Sequence, residues 1–228
     1  MARVALLAAL LVRRAVFCAD DQPTPTFSTT VFGTTLPSGG LRGQVYEMLQ
    51  GVPYLPYFTF MKPLATVYTK SLNIPPQDAL GGFPGLPNLT EWFAIDYHGS
   101  IWISEPGPYH FQLTSDDGSR LYIDDILVIN NDGIHPPRTE EGKIDLKKGG
   151  HRIRVSYFEG TRERFALVLC VARLNDPTWE VFNTDNFQKP TGAKGGTKSK
   201  AVCCQGCEGR MTRQPPDSTS PPSIFPPP

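Results

Sequence analysis

The sequence predicts an all-β fold, an antiparallel sandwich or a closed barrel, from three observations. Short apolar runs in the middle of the chain alternate with polar residues at a period of two, Gly, Pro and Asp clusters punctuate them, and no segment holds a helical period over three or more turns. Such patterns occupy residues 41–187, a length suited to a single domain with its own core. Of the 228 residues, 21 are Gly and 23 are Pro, and the prolines gather towards the two ends. That distribution places the folded part in the middle.

Residues 1–19, within MARVALLAALLVRRAVFCAD, read as an export signal: an Arg near the start, then nine consecutive apolar residues, Val4–Val12. A run of nine is too short to span a membrane. Cleavage near Cys18 or Ala19 is expected, leaving a secreted or cell-envelope protein. A lipid anchor on Cys18 is the alternative, although Phe17 stands where such sites carry a small residue. Residues 20–40, rich in Thr, Pro and Ser, read as a flexible linker.

From Leu41 to Pro87 apolar residues mix with many Pro and Gly, as in GVPYLPYFTFMKPLATVY, which points to short extended segments and loops. Two strand-like runs within TEWFAIDYHGSIWIS are joined at Tyr97-His98-Gly99, and a Glu105-Pro106-Gly107-Pro108 turn leads into YHFQLTS. There Tyr109, Phe111 and Leu113 share one face and His110, Gln112 and Thr114 the other. SRLYI and ILVIN flank a two-residue hairpin at Asp124-Asp125. GKIDL and HRIRVSYFEG flank Lys147-Lys148-Gly149-Gly150, with Ile153, Val155 and Tyr157 alternating against Arg152, Arg154 and Ser156. FALVLCVARL, nearly all apolar, reads as a central strand covered on both sides, with Cys170 as a small buried hydrophobe. Residues 188–228 lack the apolar content to fold and read as a disordered tail.

Charge and motifs narrow the function classes. With 22 basic and 22 acidic residues the formal charge is zero, so bulk electrostatics favours neither nucleic acid nor an anionic membrane. Lys194, Lys198 and Lys200 lie in a Gly/Thr/Ser stretch and read as solvated linker. No Gly-x-Ser-x-Gly elbow, phosphate-binding glycine loop or zinc helix motif is present, and no pair of carboxylates is fixed across a cleft, so an enzyme is not expected. Cys203, Cys204 and Cys207 supply half of a zinc site at most, and disulfide formation within the tail or to another molecule is the expected chemistry.

LRGQVYEM, then WFAIDYHGSIWISEPGPYHFQLTSDDGSRLYIDDILVINNDG, then GGHRIRVSYFEG occur in an order that resembles the protective-antigen fourteen-kilodalton domain, over roughly residues 41–182. The resemblance implies a β-sandwich module of an exported, bacterial-type protein. It also implies a non-catalytic role in binding carbohydrate at a cell surface or extracellular matrix. A structural domain making protein contacts in a surface assembly, with no small-molecule site, is the alternative. The partners to expect are a glycan or a cell-surface protein.

The same resemblance implies a site. Asp116-Asp117 match the adjacent aspartates that bind calcium in the family's adhesins, where the peptide bond between them is cis. Glu159 stands where the adhesins place an asparagine ligand. The implied metal set is Asp116, Asp117 and Glu159, with calcium as cofactor, and the implied sugar-binding residues are Glu159, Thr161, Arg162, Glu163 and Arg164. Against this stands a purely local reading of Ser115-Asp116-Asp117-Gly118 as a turn, with aspartates accepting from nearby amides and Gly118 supplying a positive φ. Asn130 to Arg138 likewise reads as a rigid turn in which His135 makes a structural hydrogen bond, and the spacing of acids excludes an EF-hand.

Overall fold

In the computed structural model, which describes residues 39–161, 164–173 and 176–190 together with Cys203, the alternating runs pair into two antiparallel sheets. The strands are β1 (Leu41–Glu47), β2 (Ala65–Thr69), β3 (Asn73–Asp78), β4 (Phe93–Ile103), β5 (Gly107–Asp116), β6 (Ser119–Ile123), β7 (Ile126–Asn131), β8 (Arg138–Leu146), β9 (Gly149–Glu159), β10 (Arg164–Arg173) and β11 (Asp176–Val181). One sheet has six strands in the order β2-β1-β4-β9-β6-β7. The other runs β11-β10-β5-β8, with β3 also pairing with β10. Helical structure among the described residues is confined to short 3-10 turns, and none is a helix long and apolar enough to cross a membrane.

Period-two alternation explains how the sheets face each other. Ile95, Tyr97, Ile101, Val155 and Tyr157 point inward from the six-stranded sheet, and Phe111, Leu113, Phe165, Leu167 and Leu169 meet them from the other. Each is buried to within a few per cent, so these side chains supply most of the apolar burial that holds the layers together. Phe83, from the loop before β4, packs its ring among Phe93, Tyr157 and Phe165 with centroids 5.4–5.6 Å apart. The Asp124-Asp125 hairpin forms as expected, both residues having positive φ (49° and 66°). Aspartate serves in the second position because Asp125 Oδ2 accepts from Arg152 and Asp124 Oδ1 from the Arg152 amide, tying the turn to β9.

Two expectations need correction. Tyr97-His98-Gly99 is no junction between two strands: β4 runs unbroken through it. Glycine is tolerated mid-strand there because a Cβ on Gly99 would lie 2.6 Å from Leu41 Cδ2, in space the neighbouring strand fills. The Lys147-Lys148 connection carries the chain from one sheet to the other, since β8 belongs to the five-stranded sheet and β9 to the six-stranded one. Finally, Cys170 is not a free buried thiol. It forms a disulfide with Cys203, so Cys203 pairs neither within the tail nor with another molecule.

The physical reason for that last correction is the outer face of β10. Val168 and Cys170 turn outward there, and Cys203 covers them together with Val181 and Trp179. The Cys203 amide donates to Trp179 O at 3.1 Å. Apart from residues 188–190 and Cys203, the expectation of a disordered tail lies outside the described residues, as do the export signal and linker up to residue 38.

Two outcomes follow. Cys203→Ser, which removes a cross-link spanning 33 residues, should lower the unfolding free energy in urea by about 2–4 kcal/mol. Gly43→Ala should lower it by about 1–3 kcal/mol, because a Cβ there would sit 2.6 Å from Tyr97 Cε1 and 2.8 Å from Ile95 Cγ2.

A buried carboxylate cluster as the candidate functional site

At the end of the sandwich where β5 and β9 finish and β10 begins, the connections after β5, β7 and β9 come together. Asp116 is the last residue of β5 and Glu159 the last of β9, so the two sheets deliver one acid each and Asp117 follows directly. The Asp116–Asp117 peptide bond is cis. The three side chains are deeply placed, Asp116 being 8%, Asp117 2% and Glu159 1% exposed. One carboxylate oxygen from each lies within 4.8 Å of the others.

Asp117 is held by the backbone of two other loops. Its Oδ1 accepts from the His135 amide at 2.9 Å and its Oδ2 from the Gly160 amide at 2.9 Å. This replaces the local turn reading, in which the aspartate would accept from amides two residues on. Gly118 also differs from that reading, because its φ is not positive. Its missing side chain matters for space: a Cβ would meet Phe158, with Gly133 N at 2.8 Å and Asp132 Oδ1 at 2.9 Å.

Glu159 has the most perturbed environment. Burial first, then the charge of Asp117, pushes its carboxyl up to about 10, against the opposing pull of the Tyr157 hydroxyl. Geometry argues independently in the same direction. Tyr157 Oη lies 2.8 Å from Asp116 O and 2.9 Å from Glu159 Oε2, two acceptors for a single hydroxyl proton. When Glu159 is protonated its own O–H donates to Tyr157 Oη, the Tyr157 hydroxyl donates to the carbonyl, and both contacts are satisfied. Without a cation, therefore, the cluster holds a proton in place of a third negative charge.

A polar scaffold supports these loops. Asn131, fully buried, donates from Nδ2 to Ser115 Oγ and Arg138 O and accepts on Oδ1 from Arg138 Nε at 2.7 Å. Asp132 accepts from the Leu55 amide at 2.9 Å and from Arg120 Nη2 at 2.7 Å. His135 sets its ring nitrogens 3.0 Å from Asn131 O and Pro136 O, the structural role expected of it.

The structure thus brings Asp116, Asp117 and Glu159 together, whereas Asp124 and Asp125 lie apart at the β6–β7 turn. Thr161 is exposed just beyond Gly160, and Arg164 is exposed at the start of β10 in register with Asp78. Arg162 and Glu163 lie outside the described residues. Sequence reasoning missed the Tyr157 hydroxyl and the His135 and Gly160 amides. Tyr157 stands two residues before Glu159 and therefore on the same face of β9, a pattern visible in the sequence but equally that of a core residue.

A pH dependence follows from Glu159. Its folded-state value of about 10 lies above the ordinary 4.5, so between these limits the folded chain keeps a proton that the unfolded chain has released. The associated stability is fully present at acid pH and is lost as pH rises through that window, at up to about 1.4 kcal/mol per pH unit. Melting temperature measured with a chelator should fall from about pH 5 to about pH 9, and Glu159→Gln should flatten this slope.

Comparison with known proteins places the fold. The PA14 domain family matches residues 84–178. A search of curated proteins finds no match. Among solved structures, a PA14 sugar-binding domain from an RTX adhesin aligns with a TM-score of 0.55 and 19% identity, over 64% of this chain and 96% of that one. The PA14 domain of the MpAFP antifreeze protein aligns at 0.54 and 18%, over 64% and 88%. An anti-sigma factor domain-containing protein aligns at 0.52 and 18%, over 74% of this chain but 51% of its own length. Its two antiparallel sheets and the match across residues 84–178 give this chain the fold of the PA14 domain and a likeness to that family over its central part.

Proposed function

We propose that the chain is an exported, non-catalytic module that recognises carbohydrate, with calcium held by Asp116, Asp117 and Glu159. The observation that carries this reading is the closure of three nearly buried carboxylates around one point. Calcium takes about 6–8 hard oxygen ligands, and an all-carboxylate donor set fits that preference. A divalent cation would replace the proton on Glu159 and balance Asp116 and Asp117, while carbonyls, water and sugar hydroxyls would complete its shell. Asp117, fixed by two amides, holds its position before any ligand arrives.

Further support comes from two sides. The similar RTX adhesin domain is a sugar-binding one, and the Cys170–Cys203 disulfide suits an oxidising, extracellular setting. In this reading Glu159 contributes to both metal and sugar recognition, and Thr161, Arg162, Glu163 and Arg164 lie beside it in sequence to contact the glycan. A second reading, a module for protein contacts, is favoured by one surface. Leu49, Tyr54, Tyr57, Phe60 and Leu64 are 60–90% exposed on a single stretch of chain.

Millimolar calcium should raise the melting temperature of the wild-type chain, by the equivalent of about 2.7 kcal/mol at a hundredfold excess over the dissociation constant. Asp116→Asn should abolish the shift. Glycan-array retention should disappear in chelator. A melting temperature indifferent to calcium, with no glycan retained, would sink the carbohydrate reading and leave the protein-contact one.

A further inference from the structure

The outer face of the six-stranded sheet carries chemistry that the carboxylate end does not use. Strand register sets Tyr68, Arg42, His98, Arg154 and Tyr122 in one row across β2, β1, β4, β9 and β6. One step along the strands, Ser100 of β4 stands beside Arg152 of β9. Arg42, His98, Ser100, Tyr122, Arg152 and Arg154 line a groove of about 500 Å³. Where the same face continues over Ala94 and Phe158, it is covered by Val52, Leu55 and Phe58, so among the described residues the groove is the part left open.

Its cations are held in different ways. Arg154 donates from Nε to Asp96 Oδ1 at 2.8 Å, and its guanidinium carbon lies 5.2 Å from the Tyr122 ring centre and 5.7 Å from that of Phe58. That fork is positioned before a ligand binds. Arg152 pairs with Asp125 at 2.5 Å, but both side chains are at least 70% exposed, so the pair is weak and can exchange for another anion. Arg42 is exposed and forms no ion pair among the described residues. Asp96, 4% exposed, accepts from Ser156 Oγ as well as Arg154 and faces His98 Nε2 at 2.7 Å, which uses up its charge within the sheet. Three arginines therefore stand against two carboxylates, Asp96 and Asp125, leaving one positive charge in excess at the groove of a chain whose net charge is zero.

We propose that this groove binds an anionic saccharide, one whose sugar units carry carboxylate or sulfate groups. Arg42 and Arg154 are two strand spacings apart, roughly 10 Å, close to the length of a disaccharide unit in an extended chain. Successive anionic groups can therefore meet successive guanidinium groups, which pair with planar or tetrahedral oxyanions through two parallel N–H donors. Ser100 and His98, between and beside the arginines, supply hydrogen bonds for the intervening hydroxyls. The site is independent of calcium and lies on a sheet face, away from the Asp116–Glu159 end.

The test uses the full chain with a chelator present, and immobilised dextran sulfate, polygalacturonate and unmodified dextran as probes. Binding to at least one charged polymer, in a manner that salt weakens, and none to unmodified dextran is the expected result. The polymer that binds identifies the anion. Arg42→Ala with Arg152→Ala should weaken the dissociation constant at least about tenfold at an unchanged melting temperature. Arg42→Glu alone, at an exposed position, should act in the same direction. Lys194→Ala with Lys198→Ala and Lys200→Ala should bind as the wild type does. The proposal is overturned by failure to bind both charged polymers, by equal binding to unmodified dextran, by arginine variants that bind like the wild type, or by a loss confined to the lysine variant.

Discussion

The carboxylate of Asp117 is the tie on which the open end of this sandwich depends. Its two oxygens accept from backbone amides 18 and 43 residues further along the chain, so a single side chain sets the loops after β7 and β9 relative to the end of β5. Those amides have left water, and each would cost about 1–3 kcal/mol if it lost its acceptor. The charge that stabilises the amides is also what makes a neighbouring carboxylate unwelcome. Loop architecture and cluster electrostatics are consequently two effects of the same group.

Asp96 and Glu159 show how far partners rather than residue type decide the state of a buried acid. Burial alone would raise both. Asp96 is nevertheless lowered, because His98, Arg154 and Ser156 bond to its ionised form. Glu159 meets one hydroxyl and two further carboxylates and stays raised. The sandwich thus contains one acid committed to its charge in the middle of a sheet and another that gives it up at the end.

Much of this was legible in the sequence, for reasons that can be traced to particular residues. Alternation at Tyr109, Phe111 and Leu113, and at Ile153, Val155 and Tyr157, gave the buried faces because period two leaves a strand no other way to hide its apolar side chains. Asp124-Asp125 was readable as a turn from local chemistry alone. Long-range relations were not. Nothing near Cys170 in sequence signals Cys203, and the unbroken course of β4 through Gly99 depends on Leu41, which lies on another strand. In the carboxylate cluster, Asp116, Asp117 and Glu159 could be named through family resemblance. The amides that hold Asp117 could not, since a backbone donor leaves no mark in the sequence. The arginine row was equally hidden: Arg42, Arg152 and Arg154 become neighbours only once β1 and β9 both pair with β4.

The Cys170–Cys203 disulfide also gives the domain a front and a back. It stitches Cys203 to the outer face of the five-stranded sheet. The row containing Arg42 and Arg154 lies on the opposite face. A pull on Cys203 is therefore transmitted to β10, in the interior of the five-stranded sheet, rather than to an edge strand that could peel away.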